Sequence, residues 1–60
     1  MERKQLRDAA KQGNVAALLM ALGNGIDVNS VFGKGWTSLH YASFRGHTSC
    51  VQVIIMVIKW

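Results

Sequence analysis

The sequence predicts an all-α fold: two stacked helix–turn–helix repeats joined by a hairpin-like loop. Three observations carry this expectation. Residue classes recur at a separation of 33: Leu6 with Leu39, Ala9 with Ala42, Gly13 with Gly46, Leu18 with Val51, Met20 with Val53, Ala21 with Ile54 and Leu22 with Ile55. A fixed period of this size is the signature of a repeat architecture. Within each copy the apolar residues fall at helical spacing. Glycines stand where the first three helices should stop.

In chain order, Leu6, Ala9 and Ala10 stand at i, i+3 and i+4 and make one narrow apolar face. Their small side chains permit close helix approach. Gly13 ends this first helix, since a residue able to adopt positive φ fits just past a helix C-terminus. Val15 to Leu22 reads as a second, more apolar helix, broken by Gly23-Asn24-Gly25. Leu18 to Leu22 read as core, because a buried helix in a stack is apolar on most of its circumference. Ile26 to Trp36 connects the copies. There Asp27-Val28-Asn29 reads as extended, and Gly33-Lys34-Gly35 as a turn, giving a projection with its tip near Phe32 to Lys34. Thr37 is the expected N-cap of a third helix from Ser38 to about Arg45, its hydroxyl accepting a first-turn N–H. Gly46 stops that helix, and a fourth starts near Thr48.

Composition narrows the function classes. The chain has 60 residues, a formal net charge of +4 and one cysteine, Cys50. No internal disulfide can form, which places the expected compartment among the reducing ones, cytosol or nucleus. The charged start, Met1-Glu2-Arg3-Lys4-Gln5, is unlike a signal peptide. The longest apolar run, Val53 to Ile58, is far shorter than the roughly 20 residues of a membrane helix. Arg3, Lys4, Arg7, Lys11, Lys34, Arg45 and Lys59 are spread out, where a nucleic-acid or anionic-lipid surface would cluster them.

Gly35-Trp36-Thr37-Ser38-Leu39-His40-Tyr41-Ala42-Ser43, continued by Phe44-Arg45-Gly46-His47, resembles the ankyrin repeat, with its Thr-Pro-Leu-His signature and 33-residue period. Gly25-Ile26-Asp27-Val28-Asn29 is similar to the family's Gly-Ala-Asp-Val-Asn. The likeness covers about residues 3 to 55. It implies that residues 1–32 form a first repeat of the N-terminal capping type, lacking the Thr-Pro-Leu-His element. Residues 33–55 form a second, incomplete repeat, and 56–60 a divergent tail. Ser38 stands where the family has proline. A natural short form and a fragment of a longer repeat protein both fit the tail.

The resemblance further implies protein recognition without a cofactor. Its contact positions correspond here to Lys34 and Trp36 on the hairpin, Phe44 and Arg45 on the first helix of the second copy, and Lys11 and Gln12 in the first copy. Thr37, Leu39, His40, Ala42 and Gly46 carry the structural motif. Trp and Arg are also the residue types most enriched in binding hot spots. The alternative for Trp36 and Phe44 is packing over their own repeat. Two further alternatives are a non-binding or regulatory short form and a basic surface for acidic lipid or RNA. Self-association is expected at the uncapped C-terminal face.

His40, His47 and Cys50 are too few for a structural zinc site, which takes four ligands. Cys50 and His47 lack an orienting acid, with Glu2, Asp8 and Asp27 all distant in sequence, so no enzyme is expected. The glycine pairs do not fit a phosphate loop.

Overall fold

The computed structural model describes residues 2–59. Among them are four α-helices and no strand: α1 (Arg3–Gln12), α2 (Val15–Gly23), α3 (Ser38–Arg45) and α4 (Thr48–Lys59). α1 packs on α2 and α3 on α4 within the repeats. Between them α1 meets α3 and α2 meets α4, so the first helices form one layer and the second helices another.

The first three helices begin on side chains that cap them. At α1 the Glu2 N–H donates to Gln5 Oε1 at 2.9 Å, the returning half of a capping box. Asn14 caps α2 by accepting the Ala17 N–H at its Oδ1, 3.1 Å away. At α3 the Thr37 N–H donates to His40 Nδ1 at 3.0 Å, and Thr37 Oγ1 lies 2.9 Å from the same nitrogen. The first and third helices both close on glycines in the left-handed region, Gly13 at φ 72° and Gly46 at φ 74°. An L-residue there would cost roughly 1–2 kcal/mol.

The core is a single cluster of Leu6, Ala9, Ala10, Leu18, Ala21, Ala42, Cys50 and Ile54. Leu39, Val51 and Val53 pack against its margin. Full burial of Leu6, Leu18 or Ile54 contributes about 1.5–3 kcal/mol each before entropy is charged. Leu19 and Met20, expected in the core, are exposed on the outer side of α2. Among the described residues α2 packs on α1 and α4, and neither covers that side of the helix. Ser38, at the first position of α3, is fully buried, and its Oγ has no hydrogen-bond partner.

Two local details differ from expectation. Val28 and Asn29 form a turn and are not extended, because Asp27 Oδ1 accepts the Asn29 N–H at 2.8 Å and the Asp27 carbonyl accepts the Ser30 N–H at 3.0 Å. This side-chain-closed turn is a habit of aspartate that competes with extended backbone. Residues 56–59 continue α4 without a break, although Met56, Val57 and Ile58 are exposed. Trp60 and Met1 lie outside the described residues.

The candidate recognition surface

The loop that carries the site is closed by a local hydrogen bond: the Phe32 N–H donates to the Trp36 carbonyl at 2.7 Å. Between them Gly33–Gly35 forms a 3-10 turn, in which Lys34 takes φ 67°. Lys34 is the one non-glycine residue with positive φ among the described residues. The turn therefore holds an exposed ammonium side chain at the tip of the projection, as expected.

Behind the tip the aromatic residues meet. The Trp36 ring centroid lies 5.2 Å from that of Tyr41, 5.5 Å from Phe44 and 5.8 Å from His40. Phe32 extends the group, 6.2 Å from Tyr41. Such tilted and edge-on pairs contribute roughly 0.5–1.5 kcal/mol each beyond the area they bury. Trp36 is thus half-buried by its own repeat, while Phe44 at the outer edge remains 74% exposed. Trp36 therefore packs over its own repeat, whereas Phe44 is largely uncovered. Gly33, Lys34, Trp36, Tyr41 and Phe44 line an open cleft of about 410 Å³.

The first repeat contributes from the side. Lys11 Nζ stands 5.6 Å over the Tyr41 ring, and the Arg7 guanidinium 6.0 Å over Phe32. The Lys11–Tyr41 contact ties α1 to the second repeat, and the Arg7–Phe32 contact ties it to the start of the connecting loop. Gln12 and Arg45 are exposed at the last turns of α1 and α3. Tyr41 was not singled out in the sequence. Its signal was the three-residue step to Phe44, which puts the two on one helix face.

The remaining motif residues serve the scaffold. His40 reaches back to Thr37 and flanks Trp36. Ala42 is fully buried and Gly46 closes α3. His47 reaches into the preceding repeat, with its Nε2 2.9 Å from the Lys11 carbonyl oxygen. That oxygen can only accept, so Nε2 carries the proton and donates. The bond satisfies a carbonyl left open at the end of α1. Cys50 is 1% exposed, and burial pushes its thiol pKa up. A nucleophilic cysteine needs the opposite shift. Among the described residues no three His, Cys, Asp or Glu side chains gather as a metal site would, and no helix is long and apolar enough to cross a membrane.

Stacked helix pairs with a projecting loop and an aromatic-lined face define a repeat module of the kind built for contact with other proteins. Residues 6–55 match the family profile for ankyrin repeats in many copies. The chain belongs to the ankyrin-repeat family, a non-enzymatic interaction module. It is 46% identical over 48 residues to the protein VAPYRIN-LIKE of Medicago truncatula, covering 80% of this chain and 10% of that protein. It is 43% identical over 51 residues to cortactin-binding protein 2 of Saimiri boliviensis boliviensis, covering 83% of this chain and 3% of that protein. The same protein of Echinops telfairi is 41% identical over 51 residues, with the same coverage. The chain therefore spans a tenth or less of the length of these relatives.

Proposed function

We propose that this chain is a recognition element of a larger repeat assembly, binding a partner protein through the hairpin tip and the α3 face. Lys34, Trp36, Phe44 and Arg45 form the centre of the contact, and Lys11 and Gln12 its flank. The observation that carries this reading is Phe44. A phenylalanine 74% exposed on a helix costs solubility, and it lines a cleft together with a half-buried tryptophan. The expected setting is cytosolic or nuclear, consistent with a lone unpaired cysteine.

The test is selection of binding peptides from a random displayed library on the whole chain, followed by titration against Phe44→Ala. A loss of at least about 2 kcal/mol, the size of a hot-spot truncation, supports the reading. Unchanged affinity for every selected peptide refutes it. A second reading, a short form that does not bind alone, is favoured by the exposed Ile55, Met56, Val57 and Ile58 of α4, a surface suited to a following repeat. Peptide selection that succeeds only after further repeats are appended would favour that reading.

A further inference from the structure

We propose that the partner presents an acidic segment carrying one large apolar side chain, which enters the cleft between Trp36, Tyr41 and Phe44 while its flanking carboxylates meet Lys34, Lys11 and Arg45. The inference rests on the recognition reading above and adds the chemistry of the occupant.

The charges decide the sign. The chain has three carboxylate side chains, and each is placed elsewhere. Glu2 pairs with Lys4 at 3.1 Å, Asp8 with Arg7 at 3.0 Å, and Asp27 closes its own turn through Asn29. Lys34 lines the cleft, Lys11 stands over Tyr41 at its wall, and Arg45 follows Phe44 on α3. Among the described residues none of these three cations has an acidic partner within ion-pair distance. One uncompensated positive charge, Lys34, thus lines the apolar cleft, a second, Lys11, stands over the Tyr41 ring of its wall, and a third, Arg45, is the exposed neighbour of Phe44 in the chain. Apposed negative charge is favourable there, and positive charge repelled.

The rings decide the shape. Aromatic side chains can also cage a quaternary or methylated ammonium. Here the faces of Tyr41 and Phe32 already carry Lys11 and Arg7, so an incoming cation would meet like charge. Nor do the rings form a platform for stacked bases, which offers successive open π-faces. The planes are tilted by 37° between Trp36 and His40, 56° between Trp36 and Tyr41, and 70° between Trp36 and Phe44. Tilted and edge-on packing of these rings leaves an open cleft of about 410 Å³, which suits an apolar side chain better than a flat strand of bases.

The test uses the whole chain, held folded in a fixed background of trimethylamine N-oxide and checked by circular dichroism, and three fluorescent peptides, each titrated by polarisation. The first carries a Trp-Leu pair flanked by three glutamates on each side. The second replaces the glutamates with lysines, and the third replaces the Trp-Leu pair with Ser-Gly. An octamer of uridylate is the fourth probe. Three variants accompany the native chain: Phe44→Ala, Lys34→Gly and Arg45→Gln. Lys34→Gly removes the charge while relieving positive φ, and Phe44 is mostly exposed, so neither threatens the fold.

The first peptide should bind at least about tenfold tighter than the second or third. Phe44→Ala should weaken it about 30-fold, a hot-spot loss converted at 1.4 kcal/mol per decade. Lys34→Gly and Arg45→Gln should each weaken it several-fold at low salt, and the deficit should shrink at high salt as the charges are screened. Equal or better binding of the lysine peptide overturns the charge inference. If Phe44→Ala still abolishes that binding, the recognition reading stands. If Phe44→Ala changes nothing for any peptide that binds, both fall. Tighter binding of the uridylate octamer, or no binding of any peptide, also overturns the proposal.

Discussion

Gly13 and Gly46 offer an internal control for the contact that joins the repeats. Both residues close a first-layer helix, at φ 72° and 74°, so alanine meets the same backbone penalty at each, about 1–2 kcal/mol. Their surroundings differ. A Cβ on Gly46 meets nothing within 4 Å. A Cβ on Gly13 falls 2.5 Å from His47 Nδ1 and 2.8 Å from its Cε1 and Cγ. Three atoms of one rigid ring are struck together, so the imidazole must swing away as a unit. It then gives up its 2.9 Å hydrogen bond to the Lys11 carbonyl. The lost bond is worth about 1 kcal/mol, and the partly buried carbonyl left without a donor adds about 1 more. Gly13→Ala should therefore cost about 3–4 kcal/mol and Gly46→Ala about 1–2. The assay is urea unfolding followed by helical circular dichroism in a fixed background of trimethylamine N-oxide, which strengthens burial and holds a marginal chain folded. In a His47→Ala background, Gly13→Ala should fall to the value for Gly46→Ala. If the two glycine substitutions agree within about 0.5 kcal/mol in both backgrounds, the His47 contact carries no energy and the reasoning fails.

Ser38→Pro should stabilise the chain by about 1–2 kcal/mol in the same assay. It removes a buried hydroxyl without a partner and pre-sets the first helical φ. Thr37 already has the extended backbone, φ −93° and ψ 175°, that a following proline requires; a loss of stability would show that the Ser38 hydroxyl has a partner in solution. Cys50 should resist alkylation in the folded state. Its thiol pKa is raised, so the stability it contributes is present below the ordinary thiol pKa and is lost as pH climbs toward the folded value; rising stability across that alkaline range would refute the assignment. The chain alone should show no sharp thermal transition above body temperature on verified monomer, since stacks need about three repeats to outweigh ordering entropy and Ile55 to Ile58 lie exposed. A cooperative transition there would show that two repeats suffice.

The helices were legible because their signals are local. The Leu6, Ala9, Ala10 spacing, the Thr37 cap and the two closing glycines each act within a turn or two of the chain. The His47 to Lys11 bond spans 36 residues, and no spacing rule reports such a pair. The 33-residue period held a clue: stacking brings the end of α3 beside the end of α1, and His47 follows the glycine there. Ser38 was visible as a replacement for proline, but its burial was not, because burial depends on what the next helix covers. At the site, sequence placed Trp36 and Phe44 near each other without deciding which was covered. That outcome depends on the Phe32–Trp36 closure, which lays the indole against Tyr41 and leaves the phenyl outermost.

Half of the buried apolar side chains are alanines: Ala9, Ala10, Ala21 and Ala42 among the eight of the core. Their contribution is the volume they do not occupy, which lets helix backbones approach. Systematic truncation to alanine, the usual way of mapping a core, is silent at every one of these positions. The informative scan runs the other way. Enlarging each by two methyl groups, to valine, forces the layers apart at a cost of about 1–3 kcal/mol where packing is tight. A mutational map of this chain drawn from truncations would credit the stack to Leu6, Leu18 and Ile54, and would miss the residues that set the distance between its layers.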